Sequence, residues 1–221
     1  ACNSSIGLYI GGKYHMAIRA LFVAAILGLF GSQASADLID ISDGAAVILN
    51  GEYGVLNNLC CGWDASAPSA PGSTLTDGFI YPPPTVWQQA VWWDATNPGS
   101  AANSIEIDLG GFHQLRGFSV QADDNDTYRI EVLNEADVWV TVWDIPFVGG
   151  WGLQSRPDPS NPSAAFFLGD IIRGDRLRFT ATGGDGFYSV SEINAFAPEP
   201  ASTGLLALGL AVFAAIRRKS C

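Results

Sequence analysis

Apolar and polar positions alternate with period two through much of the middle of the chain. Ser104–Leu109 ends at Gly110-Gly111, Gly117–Ala122 ends at Asp123–Asp126, and Tyr128–Leu133 ends at Asn134–Asp137. Val138–Trp143, Leu177–Ala181 and Phe187–Phe196 keep the same rhythm, with Gly183-Gly184-Asp185-Gly186 between the last two. Side chains on a strand point to opposite faces in turn, so such runs bounded by turn residues predict short antiparallel strands. Loops 64–76 and 156–163 are rich in Pro, Ser and Ala. Between Asp37 and Ala197 no stretch has the 3.6 period of a long helix, and there is no internal repeat. The pattern predicts an all-β fold, an antiparallel sandwich or barrel.

Two runs break the rhythm. Ala20–Phe30 is continuously apolar, follows Met16-Ala17-Ile18-Arg19 and leads to Gly31-Ser32-Gln33-Ala34-Ser35-Ala36. A charged start, an apolar stretch of ~7–15 residues and an Ala-x-Ala site make a secretory signal peptide. A buried core helix would carry polar residues at helical spacing, and this run has none. Met16 is the sole methionine, so translation is expected to begin there. Residues 1–15 read as an upstream gene-model artefact and 16–36 as the signal peptide. Cleavage by signal peptidase after Ala34-Ser35-Ala36 would leave Asp37 at the N-terminus. Near the other end, the apolar run Leu205–Ile216, 15 residues when counted from Ser202, leads into Arg217-Arg218-Lys219. A spanning helix takes about 20 residues, with a lower range of roughly 17. This one is short, but its basic flank is a stop that stays cytoplasmic. An amphipathic docking helix would need a polar face, which Leu205–Ile216 lacks.

Pro198-Glu199-Pro200, a short apolar helix and a basic end, in that order, resemble the PEP-CTERM sorting signal of Gram-negative bacteria. The resemblance covers Pro198–Ser220 of a tail assigned to 198–221. It implies passage across the inner membrane, a transient anchor there, and tail removal by an exosortase-type membrane protease. Delivery to the cell surface or extracellular matrix would follow.

Charge narrows the partners. The whole chain carries −11. Trimming both ends leaves six arginines against 21 acidic residues, a net −15 over 37–197. Such a surface repels phosphate backbones, so no nucleic-acid partner is expected, and it suits oxygen-bound cations. Cys60-Cys61 are the cysteines left. Adjacent Cα atoms lie ~3.8 Å apart, below the ~4.4–6.8 Å of ordinary disulfides. Free or buried thiols fit better, with interchain or metal bonding as alternatives.

Within the strand run the order of features is familiar. Leu75-Thr76-Asp77-Gly78 is followed by Thr85-Val86-Trp87, then by Ser104–Gly110 with Asp108-Leu109-Gly110 at its end. Gln121, Tyr128–Val132 and Val138–Val140 come next, and Val190-Ser191-Glu192-Ile193 closes the series. This order resembles discoidin, or coagulation-factor type C, domains over Thr74–Phe196. The resemblance implies a galactose-binding-like jelly-roll β-sandwich over 37–197 that binds glycans, lipids or proteins through loops at one end. The loop Phe79–Pro84 and the Pro-rich stretch Gly149–Asp170 depart from the pattern.

The same resemblance implies a structural calcium ion held by Asp77, Thr85 and Glu192 with backbone carbonyls, against the plainer reading of Asp77 as a turn residue and Glu192 as a solvated one. Asp123-Asp124-Asn125-Asp126 lacks the Gly and closing Glu of an EF-hand loop. It reads as a hairpin turn, with a metal or sugar contact as the lesser alternative. Trp63, Trp92, Trp93 and Trp151 fall in or beside loops, where flat rings could stack on sugars. Trp87, Trp139 and Trp143 read as core or sheet-face residues. His113 has no nucleophile motif beside it, and neither G-x-S-x-G, HExxH nor a phosphate loop occurs. The leading expectation is a non-enzymatic, glycan-binding surface module. An inert matrix protein and a two-carboxylate glycan hydrolase are the rivals.

Overall fold

The computed structural model describes residues 37–57, 68–100 and 102–199, all in one compact unit. Nine strands follow in chain order: β1 (Leu38–Asp40), β2 (Ala46–Asn50), β3 (Val91–Asp94), β4 (Ser104–Asp123), β5 (Thr127–Asn134), β6 (Trp139–Ile145), β7 (Leu153–Arg156), β8 (Phe166–Gly183) and β9 (Phe187–Pro198). Short 3-10 turns at Gly72–Thr76, Trp87–Gln89 and Pro98–Ser100 are the helical elements among the described residues. All strand pairs are antiparallel, in the order β1-β9-β4-β8-β5-β6, with β2 and β7 on β4 and β3 on β9. The chain is an all-β antiparallel sandwich.

Strand β4 joins the two layers. Its first part, Ser104–Asp108, lies between β2 and β8; its last part, from Gly117, pairs with β9 and then β7. The bend falls at Gly110-Gly111, where the ladder slips between Asp108 and His113 and Gly110 has φ +73°. A side chain there would be strained. The Gly-Gly step read as a turn is therefore a corner within one long strand.

The core is the inward half of each alternation. Ile105, Ile107, Phe118, Val120, Tyr128, Ile130, Val132, Leu177, Phe179, Val190 and Ile193 form one buried cluster, with Tyr128 stacked on Phe179 at 4.9 Å between ring centroids. Strand β3 shows no alternation because both of its faces are covered. Trp93 (3 % exposed) points into the main cluster, edge-on to Tyr53. Trp92 (0 % exposed) packs on the other face with Phe187, Leu56 and Trp87. Both tryptophans are core residues, a correction to their expected place beside a binding loop: neither ring is open to a ligand. Within the Pro-rich stretch Gly149–Asp170, strand β7 pairs four residues with the end of β4.

Strand β9 runs one residue into the sorting motif. Pro198 faces Leu38, and the next amide, Glu199 N–H, donates to the Asp37 carbonyl at 2.9 Å. A residue without an N–H is tolerated at such an edge position. Pro200, the 202–216 span, Ala34, Ala36, Cys60, Cys61 and Trp63 lie outside the described residues. Among the described residues no helix is long and apolar enough to cross a membrane.

Candidate functional site

Two hairpin turns and two connections meet at one end of the sandwich. The turn after β4 brings Asp123–Asp126, and the turn between β8 and β9 brings Asp185. The β6–β7 connection brings Trp151 and Gly152, and the 3-10 turn before β3 brings Trp87. Trp87, Asp123, Asp124, Asn125, Trp151, Gly152 and Asp185 line a cleft of about 200 Å³. Trp151 is 55 % exposed. Gly152 has φ +70°, and a Cβ there would lie 2.1 Å from the Thr85 carbonyl oxygen, which accepts the Leu153 amide at 3.0 Å. That close approach presents Trp151 at the rim, and no other residue fits it.

The floor is acidic and built. Asp123 is 4 % exposed. Its Oδ1 accepts the Asp124 amide at 3.0 Å. Asp126 is fully buried, accepting the Tyr128 hydroxyl (3.2 Å) and the Asp185 amide (3.3 Å). Asp185 accepts the Phe187 amide and the Asn125 carboxamide at 2.8 and 3.0 Å. Burial first, then Asp123 and Asp185, push the Asp126 carboxyl up to about 8. Burial likewise pushes Asp123 up to about 7, with Asp124 and Asp185 adding repulsion and Arg156 opposing it.

Arg156 lies beneath, buried, and directs its guanidinium at backbone carbonyls. Nη1 donates to Ala122 (2.8 Å) and Gln154 (3.3 Å), Nε to Pro146 (3.3 Å), and Nη2 to Asp123 and Asp126. One side chain thus ties the ends of β4, β6 and β7 to the 123–126 turn and sets the shape of the cleft. Sequence reading placed Trp87 in the core and took 123–126 as a turn. It missed Asp185 and Arg156, whose roles arise only from pairing of distant strands.

The expected metal ligands are partly gathered. Gly78 N–H donates to Glu192 Oε1 at 3.3 Å, placing Glu192 against the Asp77 turn, while Asp77 Oδ1 accepts the Phe79 amide at 2.9 Å. Glu192 is buried, and its Oε2 has no hydrogen-bond partner. Burial, then Asp77, pushes its carboxyl up to about 8. The Asn194 carboxamide, oriented so that its oxygen accepts from Ser119, donates to Glu192 Oε1 and Asp40 Oδ2 at 2.6 and 2.9 Å. Tyr81 exchanges two 2.8 Å bonds with the Gln121 side chain and so pins loop 79–84 over this region. Thr85 has other partners: its hydroxyl donates to the Pro82 carbonyl at 2.6 Å and its carbonyl serves Leu153. Among the described residues, no three or more His, Cys, Asp or Glu side chains form a group that could hold a metal.

Comparison with known proteins decides the nature of the C-terminal tail. Residues 197–219 match the PEP-CTERM protein-sorting motif. The PEP-CTERM tail thus begins where β9 ends. No curated protein matches the chain. Among solved structures, it is similar to a family 32 carbohydrate-binding module from Clostridium perfringens NanJ in complex with galactose. That likeness has 16 % identity and a TM-score of 0.45, covering 72 % of this chain and 99 % of the other. Another Clostridium perfringens module of the same kind, bound to GalNAc-β-1,3-galactose, has 15 % identity and a TM-score of 0.46 over 72 % and 100 % of the two chains. A lectin domain of Lectinolysin with Lewis b has 10 % identity and a TM-score of 0.47 over 73 % and 98 %.

Proposed function

We propose that this protein is an exported glycan-binding module, sorted to the cell surface or extracellular matrix through its PEP-CTERM tail. One observation carries the binding reading: an exposed Trp151 and a half-buried Trp87 stand over a carboxylate- and carboxamide-lined cleft. Sugar rings stack their apolar faces on indoles, and their hydroxyls donate to carboxylates. An inert matrix protein would have no reason to hold an indole in solvent beside a glycine that no other residue can replace. The rival reading, a two-carboxylate glycan hydrolase, is tested by turnover of polysaccharides. A glycan array of wild type against Trp151→Ala tests the proposal. Selective binding by wild type that the variant loses supports it; no binding by wild type sinks it.

For export we infer signal-peptidase cleavage after Ala36, a transient anchor in the inner membrane of a Gram-negative cell, and exosortase processing of the tail. We also infer a structural calcium ion at Asp77 and Glu192. The orphaned, buried Oε2 of Glu192 fits a cation. Calcium takes about six to eight oxygens, so backbone carbonyls would complete the set without Thr85. The ion would tie loop 77–85 to β9 and take no part in ligand chemistry.

A further inference from the structure

Resting on the sorting reading, we propose that the end of the sandwich opposite the cleft is a lipid-facing surface, which lies against the bilayer holding the tail until the tail is cut. Beside the last residue of β9 runs a groove of about 290 Å³, whose apolar lining is Ile39, Ile41, Phe112, Ala197 and Pro198. Its rim is open: Ile39 is 37 % and Phe112 44 % exposed. Ile39 is carried there by the pairing of β1 with the end of β9, and Phe112 by the Gly110-Gly111 corner of β4. Strands distant in sequence thus bring uncovered apolar side chains to the point where the tail leaves the domain. Such a patch marks a partner or a membrane.

The tail decides between the two. The sorting motif begins inside this groove, at Ala197. Six residues, 199–204, separate Pro198 from the apolar run that starts at Leu205. Fully extended, six residues span at most about 20 Å. With that run in a bilayer, the rim is within reach of the headgroups. A free domain would gain little by burying two side chains there, but a short tether makes the contact intramolecular, so a weak contact suffices. Phe and Ile enter the boundary between headgroups and acyl chains through their apolar surface. Charge sets the kind of lipid. Arg173 lies over the Phe112 ring at 6.0 Å but is paired with Glu135 at 2.7 Å. Asp37 and Glu199 stand next to the groove, joined by a backbone bond. The patch offers apolar surface without a basic cluster, which fits zwitterionic headgroups and not anionic ones. The contact would hold Pro198-Glu199-Pro200 at the bilayer surface, within reach of a membrane protease. Cutting the tail removes the tether, and an acidic domain with so small a contact then leaves.

The test places the tail-bearing protein, isolated from inner membranes of cells that lack the sorting protease, in phosphatidylcholine nanodiscs doped with a nitroxide-headgroup lipid. In nitrogen-15 spectra the amide signals of Ile39 and Phe112 should be broadened by the nitroxide, and those of Gly152 and Asp185 at the cleft should not. Replacing both rim residues, Ile39→Ser with Phe112→Ser, should weaken the broadening roughly twofold or more as the apolar contact is lost. Either substitution alone covers failure of the double variant to fold. Discs that take up the protein but leave Ile39 and Phe112 unbroadened overturn the proposal and leave the anchored tail standing. Broadening that is unchanged in the folded variants comes from the tether alone and overturns the apolar contact, as does broadening at the cleft instead. Protein that does not enter the discs removes the anchored-tail reading beneath it.

Discussion

Asp126 is held on all sides: its two oxygens take the Tyr128 hydroxyl and the Asp185 amide, and it has no exposed surface. With Asp123 it sets a pH signature. The folded protein keeps these protons up to about 7 and about 8, whereas an unfolded aspartate loses its proton near ~3.9. The folded state therefore binds more protons between those limits. The stability these groups contribute is full below ~4 and is lost as pH rises through the folded values. Asp126→Asn is neutral throughout and can still meet Tyr128, whose hydroxyl also donates to the Ser189 carbonyl at 3.1 Å. Melting curves from pH 5 to 8.5 should show the variant gaining on wild type as pH rises. A difference independent of pH would show that Asp126 is already ionised in the fold.

At the scale of elements, the loop 77–85 is fastened to β4 and β9 by Gln121, Glu192 and the inferred calcium ion. A ligand that binds only the folded state stabilises it by about 2.7 kcal/mol at a hundredfold excess over its dissociation constant. For a domain of this size, at roughly 2–4 °C per kcal/mol, chelation should lower the melting temperature by several degrees. Calcium should restore it, and Asp77→Ala should lose most of the response. Identical melting with and without chelator would leave Asp77 as a turn residue alone.

The strands with one wet face were legible because alternation is a local signal: β5 and β6 stand almost where the pattern puts them. Strand β3 escaped because both its faces are covered, so Val91-Trp92-Trp93-Asp94 carries no alternation. That is also why Trp92 and Trp93 were misplaced. Strand β7 hid in a Pro-rich stretch because its place is set by the edge of β4. Trp151 was legible as an aromatic residue in a loop. The acidic floor was not, since Asp123 and Asp185 are neighbours only through the pairing of β4, β8 and β9.

At the scale of the molecule, the cleft and the sorting motif lie at opposite ends of β9: Phe187 begins it beside Asp185, and Pro198 ends it. A tail anchored at Pro198 would leave the cleft facing outward. Replacing Pro198, Glu199 and Pro200 by alanine keeps the Glu199 backbone bond to Asp37 and adds an N–H at the edge position 198, so the domain should fold normally. In cells with intact sorting machinery the variant is expected to remain in the inner-membrane fraction. Normal surface delivery would contradict the sorting role.

The central claim is that glycan binds at the cleft between Trp87 and Trp151, and indole N–H resonances report on it directly. In a nitrogen-15-labelled protein titrated with a glycan that binds on the array, the Trp151 and Trp87 indole signals should shift in a saturable manner. Those of Trp93 and Trp143, buried in the core, should stay in place. Binding that leaves Trp87 and Trp151 unmoved, or that shifts the core indoles instead, would contradict the assignment.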